Sequence, residues 1–235
     1  MTRTNFDKIA CLYDEQLPEH IREYLLKKKT GLTVNALGRY GINSGSGIDL
    51  GCGTGWYIRA LSQYGYNLVG IDNSSQLVQE ARKNNAGGSV QIEFMDILNL
   101  DYEPESFDFA YCINSLHHLK GKNDFFAALL QVHRILKKGG VLIVHELNTF
   151  FLFRLYLNYI FPLTNKIDAF GGENWISPAK IKKQGVFEVK EIYFYTFFPH
   201  IIPKPCFNLF IKANEALEKN LFRSFGVHYM AVLKK

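Results

Sequence analysis

Cysteine is scarce in this chain of 235 residues, and Cys11, Cys52, Cys112 and Cys206 lie far apart without a CxxC pair. A zinc site of paired thiolates and a disulfide framework are therefore not expected, and reduced thiols in a cytoplasm are. The opening Met1-Thr-Arg-Thr-Asn-Phe-Asp-Lys lacks the apolar core of a signal peptide. Internal repeats, low-complexity tracts and Pro/Ser-rich linkers are also missing, so a single domain is the expectation. No dense Lys/Arg cluster or nucleic-acid reader motif is present, which disfavours nucleic acid as a partner. The net charge of +5 is unevenly spread: residues 176–235 hold 10 Lys/Arg against 4 Asp/Glu, and residues 1–175 hold 17 against 18. A basic final third reads first as a solvated face, and second as an attraction to an anionic substrate or membrane surface.

Nearly half of the residues are hydrophobic and a fifth are charged, as in a globular protein. Residues 18–40 read as a helix with Ile21, Leu25 and Leu26 on one face, and Gly41–Gly47 as a turn-rich link. Short apolar runs then alternate with amphipathic stretches. The runs predict strands at Gly47–Leu50, Asn67–Ile71, Val90–Met95, Phe107–Ile113 and Val141–Glu146, with helices near 55–64, 74–84 and 121–137. The last helix is expected to stop at Gly139-Gly140. This alternation predicts an α/β fold around a buried, mostly parallel sheet. Val186–Phe197 and Val227–Lys234 read as two further strands, with a helix near 207–222 between them.

The informative segment is Gly47-Ile-Asp-Leu-Gly-Cys-Gly-Thr-Gly55. A strand runs into three alternating glycines and a helix opens, which puts bare backbone and a helix N-terminus where ligands bind in open α/β sheets. The dinucleotide pattern GxGxxG would need glycine where Trp56 stands, and the phosphate loop GxxxxGK[ST] is absent. Asp49 adds a carboxylate that suits a cationic ligand rather than a phosphate. Asp72 ends the second strand, where an acid can accept ribose hydroxyls, although a helix N-cap is the plainer role and Asn73-Ser74-Ser75 offers it too. Asp96 follows the third strand, placed to accept an adenine amino group while Ile97 packs on the ring.

These residues resemble the class I S-adenosylmethionine-dependent methyltransferases of small molecules. Asp49-Leu-Gly-Cys-Gly-Thr-Gly55 is similar to their first motif. Phe107-Asp-Phe-Ala-Tyr-Cys-Ile-Asn-Ser-Leu-His-His-Leu119 resembles their fourth-strand segment, Leu136-Lys-Lys-Gly-Gly-Val-Leu-Ile-Val144 the turn into their fifth strand, and Phe6-Asp-Lys-Ile-Ala-Cys-Leu-Tyr-Asp14 their FDxxAxxYD segment. The resemblance covers residues 6–146. It implies a Rossmann-like seven-stranded sheet of order 3-2-1-4-5-7-6, the last strand antiparallel. It implies S-adenosylmethionine as cofactor, bound by Tyr13, Asp49, Gly51, Gly53, Asp72, Asn73, Asp96, Ile97 and Asn114, with Ser115 close by. Residues 1–45 would form a helical cap, 46–147 the cofactor-binding core, and 148–235 the substrate-side insertions and last two strands. The [DNS]PP[YFW] segment of DNA and RNA amino-methyltransferases is absent after strand four. Pro205-Cys206 falls too far downstream to match cytosine-C5 enzymes, and Cys206 reads as an ordinary apolar residue.

Methyl transfer needs positioning and exclusion of water, and a base only where the acceptor must lose a proton. His117 and His118 are the candidates for that base, against a structural role for His118, and no metal is expected beside them. His145-Glu146 is a further pair, for substrate contact or facing solvent. Residues 150–229 hold more than half of the chain's aromatic residues. The segment Thr149–Phe161 is apolar almost all round, yet too short for the roughly 20 residues that span a bilayer. It reads as a lid helix, with a pocket for a hydrophobic or lipid-linked acceptor and peripheral membrane contact as alternatives, and little binding to liposomes is expected of it. Competing functions are an NAD-type oxidoreductase and a cofactor-binding protein without transferase activity.

Overall fold

The computed structural model describes residues 6–10, 14–15, 17–148, 174–197, 202–219 and 224–235. Tyr13 and the Thr149–Phe161 segment lie outside them. Strands β1 (Gly45–Leu50), β2 (Tyr66–Asp72), β3 (Gln91–Phe94), β4 (Phe107–Ile113), β5 (Leu136–Leu147), β6 (Glu188–Tyr195) and β7 (His228–Lys234) form one sheet. Their order is β3-β2-β1-β4-β5-β7-β6. The first five strands run parallel to one another, and β7 pairs antiparallel with both β5 and β6.

The central strands β4 and β7 are buried along nearly their whole length because both faces of the sheet are covered there. Alternate residues of β4 face opposite ways. Ala110 and Cys112 join a core with Ile48, Leu50 and Val144 against Phe125, Leu129 and Val132 of α5 (Asp124–Ile135). Phe109 and Tyr111 join the other core with Ala36 and Leu37 of α2 (Glu19–Arg39) and Ile58 and Leu61 of α3 (Trp56–Ser62). Val78 and Ala81 of α4 (Ser75–Asn84) complete that second layer. The remaining described α-helices are α1 (Phe6–Ile9), α6 (Pro178–Lys182) and α7 (Phe207–Glu218).

One boundary departs from expectation for a physical reason. The helix expected to run to Gly139-Gly140 ends at Ile135, and β5 starts at once with Leu136 paired to Phe107. The glycines lie within the strand: the register jumps from Phe107↔Leu136 to Phe109↔Val141, Gly139 has φ +79°, and a Cβ on Gly140 would lie 2.8 Å from the Asp108 carbonyl oxygen. They form a bulge, which glycine permits. The strand expected over Val90–Met95 spans only Gln91–Phe94, so Asp96 lies two residues beyond it.

Candidate functional site

The site is assembled at the carboxyl ends of β1, β2 and β4. Gly51, Gly53 and Gly55 turn the chain from β1 into α3 with φ of +80°, +54° and +82°. A Cβ on Gly51 would lie 2.7 Å from Ser115 Cβ, so the loop passes the end of β4 at a distance only glycine permits. Gly51 and Cys52 donate their backbone N–H groups to the Ile71 carbonyl, each at 2.9 Å. Asp72 then ties the loop to β2: its Oδ2 accepts from Gly53 N and its Oδ1 from Ser74 N, both at 2.9 Å. The cap of α4 is Ser74, whose Oγ accepts from Leu77 N, so Asp72 is not spent on that duty. Burial raises the Asp72 carboxyl above the ordinary carboxylate range, and the N–H groups of Ser74 and Gly53 oppose the rise.

Asp49 differs. It sits inside β1, 2% exposed, and burial pushes its carboxyl up to about 8 against the opposing pull of the neighbouring Tyr111 hydroxyl. Asp49 Oδ2 and Tyr111 Oη are each buried without a hydrogen bond, as is Asn114 Oδ1. Unsatisfied buried polar atoms are uncommon in folded proteins, and two of these, on Asp49 and Asn114, belong to residues that line the larger cavity beside the glycine loop, where a ligand can complete the bonding.

Two cavities meet at this loop. One, of about 100 Å³, is lined by Asp72, Asn73, Leu77, Met95, Ile97 and His118 among others. The second, of about 390 Å³, lies toward α2 and is lined by Asp14, Arg22, Leu26, Asp49, Trp56 and Tyr57 among others. Gly51, Gly53, Ile113 and Asn114 belong to both walls. Asn114 adopts φ +55° and donates its N–H to the His145 carbonyl at 2.8 Å.

Glu146 holds that junction in place. Its Oε1 accepts from Leu116 N and His117 N at 3.0 and 3.3 Å, and its Oε2 pairs with His117 Nδ1 at 2.7 Å. His117 is buried against Trp175 and lines neither cavity. His118 lines the smaller one, packed edge-on against Phe6, and burial together with the charges of His117 and Lys120 lowers its imidazole to about 2. It is neutral at any working pH. The expected solvent-facing or substrate-facing role of His145-Glu146 is corrected: both are buried, and His145 is bonded to Thr33 Oγ1 at 3.0 Å and Tyr195 Oη at 2.9 Å.

Of the residues singled out in the sequence, Asp49, Gly51, Gly53, Asp72, Asn73, Ile97, Asn114 and His118 converge on the two cavities. Asp96 does not: it is exposed, and its Oδ1 accepts from Leu98 N within its own turn. Cys206 is exposed at the start of α7 rather than packed as an apolar residue. Asp14 went unassigned in the sequence, although it closes the FDxxAxxYD segment. Its carboxylate accepts from Thr54 Oγ1 at 2.9 Å and from Trp56 Nε1 at 2.8 Å. Trp56, read only as a break in the dinucleotide pattern, therefore anchors the N-terminal segment over the loop.

Comparison with known proteins agrees with this geometry. A family model described as a methyltransferase domain matches residues 48–144. The O-methyltransferase cnsE of Penicillium expansum is 35% identical over 43% of this chain and 37% of its own length. A Homo sapiens protein named as a probable tRNA methyltransferase 9B is 30% identical over 53% of this chain and 23% of its own. A demethylmenaquinone methyltransferase of Staphylococcus epidermidis is 26% identical over 66% of this chain and 68% of its own. The chain thus spans well under two thirds of the first two. A solved structure from Thermotoga maritima, described as a possible histamine N-methyltransferase, superposes with a TM-score of 0.67 at 20% identity over 98% of this chain and 97% of its own, which speaks for the fold. Residues 48–144 thus match a methyltransferase domain, and the sheet of order 3-2-1-4-5-7-6 shares its fold with a solved structure described as an S-adenosylmethionine-dependent methyltransferase.

Proposed function

We propose that this protein transfers a methyl group from S-adenosylmethionine to a small molecule that is itself hydrophobic or lipid-linked. The observation that carries the reading is the pair of cavities joined at Gly51, Gly53 and Asn114. The smaller offers Asp72 and Asn73 for the ribose and Ile97 for the adenine. The larger offers Asp49 for the methionine end and leaves room for an acceptor. The residues fit such a cofactor: Asp49 Oδ2 and Asn114 Oδ1 are buried acceptors without donors, and a side chain at Gly51 would fill the passage. When bound, S-adenosylmethionine supplies a methyl group on a positively charged sulfur. The chain's own part is to hold that charge beside Asp49, exclude water with Trp56, Tyr57 and Leu26, and orient the acceptor.

The acceptor's hydrophobic character rests on the aromatic-rich 150–229 region, on the apolar lining of the larger cavity by Leu17, Leu26, Trp56, Tyr57 and Ile113, and on the likeness to a protein named for a menaquinone precursor. The likeness to a protein named for tRNA pulls the other way, but the sequence carries no nucleic-acid reader motif. The described residues contain no helix long and apolar enough to cross a membrane. His118, neutral and in the smaller cavity, is assigned to packing and not to proton transfer.

Calorimetry with S-adenosylhomocysteine tests the cofactor assignment, with NAD as the control. Asp72→Ala in a folded protein is expected to weaken binding by about 1–3 kcal/mol, the cost of leaving hydrogen-bonding groups unpaired. Unchanged affinity refutes the ribose role, and NAD binding in place of S-adenosylhomocysteine refutes the cofactor. A methyl-transfer screen over candidate acceptors then separates an enzyme from a cofactor-binding protein that does not turn over.

A further inference from the structure

Helix α2 turns one stripe toward the larger cavity. Glu19, Arg22, Glu23 and Leu26 line it, and helical spacing carries the same stripe one turn deeper to Lys29 and Thr30. Lys29 is 0% exposed, and neither its Nζ nor Thr30 Oγ1 has a hydrogen-bond partner. Side chains on a helix lean toward its N-terminus, which aims Lys29 back toward Leu26 and the cavity. Its ammonium lies 5.8 Å from the ring centroid of Tyr57, a cavity wall residue. Glu146 and His145 at the end of β5 are its charged and titratable neighbours. Glu146 makes no ion pair with it: its carboxylate is turned to Leu116 N, His117 N and the His117 ring.

A buried lysine with no hydrogen-bond partner is costly, and substitution by an apolar side chain would remove the cost. We propose that Lys29 is the acceptor-binding residue at the deep end of the larger cavity, where its Nζ pairs with an acidic oxygen of the molecule to be methylated, an oxygen of the phenol or enol kind. The inference rests on the methyltransferase reading above. Lys29 lies beside β5, two strands away from β1 and its glycine loop, which separates it from the Asp49 end of the cavity. Burial lowers the amine to about 7, with Glu146 opposing the drop, so Lys29 can accept a proton from a bound acid. The O–H bond of the acid breaks, an N–H bond forms on Nζ, and the oxyanion remains paired with the new ammonium. The other acids of the cavity do not block this: Asp14 is held by Thr54 and Trp56, and Glu19 and Glu23 stand on the exposed rim. Arg22, the other cation of the wall, donates Nη1 to the Asp14 carbonyl.

The test uses 4-nitrophenol, whose phenolate band reports its ionisation, titrated into the full chain loaded with S-adenosylhomocysteine at a pH below the phenol's own pKa. A saturable gain of the phenolate band is expected from the wild type, with none from 4-nitroanisole, which has no acidic oxygen. Lys29→Met is expected to weaken the phenolate signal about tenfold to a hundredfold, the loss of one charge-assisted bond. It should leave S-adenosylhomocysteine affinity unchanged and raise the urea midpoint. A wild type that shows no phenolate gain overturns the proposal whether or not the variant folds. A gain that survives Lys29→Met, which would hand the anion to Arg22, overturns it too. A variant that loses affinity for S-adenosylhomocysteine but not for 5′-methylthioadenosine overturns it by assigning Lys29 to the cofactor's carboxylate. Failure of the wild type to bind S-adenosylhomocysteine is a separate result and strikes the methyltransferase reading itself.

Discussion

The two cavities that meet at Gly51 and Gly53 are built differently. The smaller is finished: Asp72 is bonded through both oxygens to backbone N–H groups, Ser74 caps α4, and His118 is packed neutral against Phe6. The larger is unfinished: Asp49 Oδ2 and Asn114 Oδ1 on its wall have no hydrogen-bond partner, nor do Lys29 Nζ and Thr30 Oγ1, buried one helical turn beyond the α2 residues that line it. A recognition surface for a constant ligand part can be prebuilt from backbone. A surface where charge must be met and released leaves side chains unsatisfied, and the protein accepts the instability.

The comparison breaks most severely at the shared wall. Glu146→Ala removes the acceptor for Leu116 N, His117 N and the His117 ring, and is expected to cost about 3–5 kcal/mol in urea unfolding, as for other broken buried pairs. A loss under 1 kcal/mol would mean the turn after β4 holds itself. Gly51→Ala should come next, at about 1–3 kcal/mol, from a left-handed backbone and a contact with Ser115. Gly65, equally left-handed at φ +82° but with nothing within 4 Å, isolates the strain alone, so Gly65→Ala should cost less.

Smaller effects sharpen the contrast through pH. Asp49 holds its proton to about pH 8 when folded and only to its ordinary value of 3.8 when unfolded. Between those values the native state binds more protons, so this group makes the ligand-free protein less stable as pH rises from about 4 to 8. Asp49→Asn should flatten that slope and stabilise the ligand-free protein at pH 8 while weakening S-adenosylhomocysteine binding. Lys29 acts in the opposite sense over a higher window. Its amine titrates near 7 folded and 10.5 unfolded, so the unfolded state binds more protons and stability rises from pH 7 to 10.5. Lys29→Met should remove that rise. Urea midpoints across pH read both, and a rise that persists in Lys29→Met would show that the amine is solvated.

Most of the smaller cavity was legible in the sequence because it is made of local segments at fixed offsets. Asp49-Leu-Gly-Cys-Gly-Thr-Gly55 sets the turn, and Asp72 follows at the end of the next strand. The larger cavity was not, because α2 reaches it from far away in the chain. Lys29 sits in the run Lys27-Lys28-Lys29, which reads as a solvated face. Only the packing of α2 over α3 and β5 buries the third lysine while leaving Lys27 exposed. Asp96 shows the reverse: an acid at the right offset whose short strand leaves it in a surface turn.

Alternating apolar strands and helices, and a loop of three glycines, by themselves point to a mostly parallel α/β sheet and to the place of the glycine loop, since both follow from local periodicity and backbone freedom, while the strand order was implied only by the family resemblance. Tertiary structure alone decided which polar groups were left unpaired. Burial and partner choice arise from contacts between distant segments, and no local pattern encodes them.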